Sequence, residues 1–183
     1  DAIYFNEKLY IGKREEVFVY NESTGNFDLF YHLAGKNITL SCLHLDKNKN
    51  LWLGTTSNGI YCLSEDKNLS RPVTKGNITS IYEDSSNELW IGSWEEGLYR
   101  VKTDGSIENL RHNPMNTNSL CSNFVRSCCE DNSGDLWIGT FNGLNRYDRE
   151  TGKFHLYTAN GNSPDGLTHS SIWCIVKDGQ GTI

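Results

Sequence analysis

Residues 136–147 read LWIGTFNGLNRY, and two earlier stretches say nearly the same thing: LWLGTTSNGIYC at 51–62 and LWIGSWEEGLYR at 89–100. Placing Leu9, Leu51, Leu89, Leu136 and Ile183 in one column gives steps of 42, 38, 47 and 47 residues. Periods of about 40 to 50 residues mark arrays or propellers, whose units bury their apolar faces against one another. Five residues before the column stand Asp46, Asp84, Asp131 and Asp178, and one residue after it stand Tyr10, Trp52, Trp90 and Trp137.

Each unit reads as four short strands. The first ends at the aspartate: LSCLHLD (40–46), ITSIYED (78–84), VRSCCED (125–131) and IWCIVKD (172–178), with AIYF (2–5) as a clipped copy. A turn leads to the second strand, LWIG or its variants, and a loop to a third such as GLYRVK (97–102) or GLNRYD (143–148). The fourth is weaker, as in GNFDLFY (25–31), SIENLR (106–111) and GKFHLYT (152–158). Short strands punctuated by Gly, Asn and Asp describe antiparallel propeller blades. Leu89 and Ile91 face one side of the second strand and Trp90 the other, so both faces require cover, which neighbouring blades supply. The aspartates can accept amide hydrogen bonds from the turns that they open.

Composition agrees. The 183 residues are 37% apolar and 11% aromatic, with 17 glycines and three prolines, a balance that favours strands and turns and can fill a core. The net charge is −6 and no basic run occurs, which disfavours a nucleic-acid partner, because phosphate neutralisation supplies most of that affinity. No apolar run approaches the roughly 20 residues that span a bilayer, so any membrane link would come from other segments. Six cysteines fit no zinc spacing, and five histidines share no ligand pattern, so neither metal nor cofactor is expected. Cys42 and Cys174 share a first-strand column with Ser80 and Ser127 and read as small packed residues rather than disulfide partners.

The unit in residues 125–157, VRSCCEDNSGDLWIGTFNGLNRYDRETGKFHLY, closely resembles the two-component regulator propeller repeat. The resemblance runs along the whole chain and is looser in the first unit, where Tyr10 replaces Trp and Val17 replaces Gly. It implies an all-β fold: four four-stranded antiparallel blades of a larger, seven-bladed propeller. The repeats would cover about 2–39, 40–77, 78–124 and 125–171, with 172–183 adding an inner strand of a fifth. It further implies a periplasmic sensor region of a hybrid two-component histidine kinase of the Bacteroides type. Kinase, receiver and DNA-binding parts would lie elsewhere, the ligands would be fragments of polysaccharides, and partners would be neighbouring blades or a second protomer.

A ligand would meet the loops between second and third strands, which vary against a constant frame: KREE (13–16), TTSN (55–58), SWEE (93–96) and TFN (140–142). They offer Trp94 and Phe141 as flat faces for a sugar ring, and Arg14, Asn58, Glu95 and Asn142 as hydrogen-bonding groups. The variable first-strand column Ser41, Thr79, Arg126 and Trp173 adds a guanidinium suited to an anionic sugar and a ring that could stack. Competing readings remain: Trp94 and Phe141 as loop anchors, Arg126 as half of an ion pair, and Glu95 as a solvated side chain. A propeller scaffold for protein interactions is one alternative function. A propeller glycoside hydrolase or lyase is another, disfavoured because no carboxylate pair emerges from the right loops.

Overall fold

A computed structural model describes residues 1–5, 7–33, 38–70, 72–159 and 166–183, which form two compact units, Asp1–Ile81 and Tyr82–Ile183. The protein is all-β, with fifteen strands and no helix among the described residues, hence none long and apolar enough to cross a membrane. The first sheet runs in the order β1 (Ala2–Phe5), β2 (Lys8–Lys13), β3 (Glu16–Asn21), β4 (Asn26–His32). The second holds β5 (Leu40–Leu45), β6 (Leu51–Thr55) and β7 (Ile60–Leu63). The third holds β8 (Ile78–Glu83), β9 (Leu89–Ser93), β10 (Leu98–Val101) and β11 (Ile107–Leu110), with the unit boundary inside β8. The fourth holds β12 (Val125–Glu130), β13 (Leu136–Thr140), β14 (Gly143–Asp148) and β15 (Lys153–Tyr157). Consecutive strands are neighbours in every sheet, which is the up-and-down meander of a propeller blade.

The repeated phrase now has a physical account. Every residue of β6 and β9 is buried, as a strand covered on both faces requires. The aspartate of the turn has two tasks. One carboxylate oxygen accepts turn amides, from Asn50 at Asp46, from Ser86 and Glu88 at Asp84, and from Ser133 and Asp135 at Asp131. The other accepts the indole N–H of the tryptophan six residues on, at 2.8 Å for Trp52, 2.6 Å for Trp90 and 2.8 Å for Trp137. A buried indole donor and a turn of unpaired amides are thus satisfied by one side chain. The glycine of the phrase makes room for the next first strand: a Cβ on Gly54 would lie 2.9 Å from Ile78, and one on Gly139 would lie 2.8 Å from Ile172.

Each unit has its own core. In the first, Val17, Leu43, Leu53, Tyr61 and Leu63 are buried together; in the second, Trp90, Leu98, Val125, Leu136, Ile138 and Tyr147 are.

Three expectations are corrected. The second sheet has three strands rather than four. Leu69 bridges Leu63, and the amides of Ser70 and Val73 donate to β7, but Cys62 N–H donates to the Ser70 hydroxyl in place of a carbonyl. Pro72 brings no N–H to a ladder, so the segment lies alongside without becoming a strand. Residues 172–178 form no strand either, although Ile172 donates to the Thr140 carbonyl and the Asp178 turn is fully made, with Gln180 and Thr182 amides on its carboxylate. Cys174 is exposed, unlike its counterpart Cys42, and all six thiols are free.

Candidate functional site

A serine or threonine closes each of three loops between second and third strands. The hydroxyls of Thr55, Ser93 and Thr140 donate to the carbonyls of Gly59, Gly97 and Gly143 and accept the amides of Asn58, Glu96 and Asn142. One small polar residue per loop therefore holds the backbone and leaves the intervening side chains free to vary.

In the second unit these loops and the start of β12 bring four of the candidates together. Arg126, on β12, places its guanidinium 3.5 Å from the ring centre of Trp173 and 4.7 Å from that of Trp94. Trp94 meets Phe124 edge-on at 5.3 Å, and Phe124 lies 6.3 Å from Phe141. Trp173 and Phe141 are 68% and 53% exposed, so the group opens to solvent. Among the described residues Arg126 meets no carboxylate, and its sequestered Nε has no acceptor. Two electron-rich indole faces hold the guanidinium cation, and its donors remain uncommitted. The ion-pair reading of Arg126 is therefore replaced by a stacked one. Phe124 escaped the sequence reading, although its aligned column, Thr39, Asn77, Phe124 and Ser171, is otherwise small and polar.

The remaining candidates stand apart from this cluster. Glu95 is exposed, and its backbone carbonyl accepts from Arg111 at 3.2 Å. Asn142 is exposed beside Phe141. Arg14 and Asn58 belong to the first unit: Arg14 is exposed with φ 54° and its carbonyl accepts Leu40 N–H, while Asn58 is half-buried in a bridge to Gly76.

A second polar assembly in this unit escaped the sequence reading altogether. Arg149 reaches the Asp84 carboxylate at 2.7 Å and Glu130 at 3.2 Å, across the seam between the third and fourth sheets. Glu130 also accepts the amide and hydroxyl of Ser85, and Trp90 lies in the same seam against Tyr147 at 5.5 Å. Burial acts to raise the Asp84 pKa, but the Trp90 indole, the Glu88 amide and Arg149 outweigh it and hold the carboxyl below the usual range. Asp84, Glu130 and the terminal Nη2 of Arg149 are paired, although the buried Arg149 Nε has no acceptor, and the assembly is a clamp between blades.

The two-component regulator propeller family matches residues 32–57, 72–95 and 119–142. No curated protein matches the chain. Among solved structures, the extracellular domain of a Bacteroides thetaiotaomicron protein described as a hybrid two-component system is 23% identical, with TM-score 0.55, over 99% of this chain and 29% of that one. A second such domain from B. thetaiotaomicron is 19% identical, with TM-score 0.55, over 98% and 32%. Virginiamycin B lyase from Staphylococcus aureus is 15% identical, with TM-score 0.66, over 90% and 56%. The chain thus spans about a third of the Bacteroides domains and about half of the lyase, and these likenesses concern the fold. In these three segments the chain is similar to the two-component regulator propeller repeat.

Proposed function

We propose that this chain is part of an extracytoplasmic, periplasmic sensing module of a hybrid two-component histidine kinase, and that it recognises an oligosaccharide derived from a polysaccharide. The repeat family and the likeness to extracellular domains of Bacteroides two-component systems support the sensor role. The observation that carries the ligand reading is Arg126, stacked between Trp94 and Trp173, with no carboxylate among the described residues to occupy its donors. Flat indole faces suit the apolar faces of sugar rings, and the guanidinium suits hydroxyls or a uronic carboxylate. Glu95, Asn142 and, on the first unit, Arg14 and Asn58 are the further polar candidates. A bound sugar would act by favouring one arrangement of blades or protomers and so biasing the kinase state.

Calorimetric titration of the full-length periplasmic region with neutral and acidic oligosaccharides tests this reading. Arg126→Ala and Trp173→Ala are expected to weaken binding at least tenfold, about 1.4 kcal/mol, with little change in melting temperature. A drop in melting temperature with unchanged affinity would make the cluster a structural clasp and sink the ligand reading. Product formation during the titration would favour the lyase alternative, since the cluster itself offers one cation and no acid–base pair.

A further inference from the structure

The first unit contains the counterpart of the clamped seam, and there it is hollow. Tyr4 pairs with Leu9 as Leu45 pairs with Leu51 and Glu130 with Leu136, so Phe5 stands where the second and fourth sheets carry Asp46 and Asp131. By the same registers Tyr10 takes the place of Trp90, Leu63 of Tyr147, Glu65 of Arg149 and Leu45 of Glu130. Each change removes bulk or a polar bridge. What remains is a cavity of about 290 Å³ between the first and second sheets, walled by Tyr10, Phe30, Leu51 and Leu63. Tyr10 and Phe30 meet edge-on at 5.3 Å.

The rim of this cavity is basic. Lys8, Lys49 and Lys67 line it with a single acid, Glu65, which pairs with Lys49 at 3.2 Å. Lys67 lies over the Phe30 ring at 4.9 Å, and among the described residues neither Lys8 nor Lys67 meets a carboxylate. Two of these lysines occupy costly positions. Lys49 has φ 64° in a position that the sister turns fill with Glu7, Asn87 and Gly134, and Lys67 has φ 61° where they place Gly25, Gly105 and Gly152. A side chain in left-handed backbone is strained relative to glycine. Lys67, at the mouth of the apolar cavity in a turn that the other three sheets build with Gly, indicates a function that offsets the strain.

We propose that this cavity binds a small carboxylate with a planar ring, its ring against Tyr10 and Phe30 and its charge at Lys8 and Lys67. The volume suits one ring with short substituents. The site lies wholly within the first unit and is independent of the Arg126 cluster.

Titration of the full-length protein with benzoate and 4-hydroxybenzoate, using benzamide as the uncharged control, tests the proposal. Both acids are expected to bind in low salt, more weakly in high salt, and at least tenfold better than benzamide. Lys67→Gly restores the residue that the sister turns carry, so it is expected to keep or raise the melting temperature while weakening benzoate at least tenfold. Arg126→Ala should leave this binding unchanged. Absence of binding at millimolar acid, equal binding of benzamide, or full affinity in Lys67→Gly would overturn the proposal.

Discussion

The seam between the third and fourth sheets and the seam between the first and second occupy the same place in the repeat and are built from opposite materials. One is filled by Trp90 and Tyr147 and crossed by Arg149 to two buried carboxylates. The other has a tyrosine, a leucine and a glutamate at those positions and keeps a cavity. The up-and-down order of strands is shared, although the second sheet has three strands where the third and fourth have four, so the first three strands of a blade form whatever fills the seam. A propeller repeat can therefore keep its turn and strand signals while individual seams become tight joints or pockets through a few side chains.

The largest expected effect that would break this comparison is on stability. Arg149→Met leaves Asp84 and Glu130 buried without their shared cation, and should cost about 3 kcal/mol in thermal or urea unfolding. Glu65→Ala, the aligned change in the first unit, removes only an exposed pair with Lys49 and should stay within about 0.5 kcal/mol. Equal losses would mean that the two seams are not energetically distinct.

A smaller effect follows from pH. Asp84 and Asp131 both have pKa values held below the usual carboxylate range. Burial opposes this in each case, and the indole and amide donors, with Arg149 at Asp84, prevail. A folded pKa below the unfolded value of about 3.9 gives stability that is complete above the unfolded pKa and lost as pH falls through the folded one. Unfolding followed against pH should therefore be flat above about pH 5 and decline below about pH 4, and Asp84→Asn should flatten that decline.

The smallest effect compares buried first-strand thiols with an exposed one. Burial pushes the Cys42 thiol up to about 11, and it pushes Cys128 up as well, whereas Cys174 is exposed. Iodoacetamide should modify Cys174 well before Cys42 or Cys128 in the native protein. Comparable rates would show that the first strands open as readily as the unpaired segment.

Much of the architecture was legible in the sequence, because it is written in short-range signals repeated three or four times. The aspartate, the turn and the aromatic lie within six residues of one another, and their spacing reports the hairpin directly. The candidate site was legible in pieces: Trp94, Arg126, Phe141 and Trp173 stood out as bulky or charged residues in variable columns. Phe124 was overlooked because it precedes a strand rather than a recognised loop, and Arg149 because its partners, Asp84 and Glu130, lie 65 and 19 residues away in sequence.

The sequence by itself determined the period, the strand pattern and the turn chemistry, since these depend on the order of neighbouring residues and on the two faces of a strand. Only the tertiary structure decided that Arg126 stacks on two indoles and that one seam is clamped and its counterpart hollow. Those outcomes depend on which side chains from successive repeats meet in space, and on the volume left between them, neither of which is encoded in any single repeat.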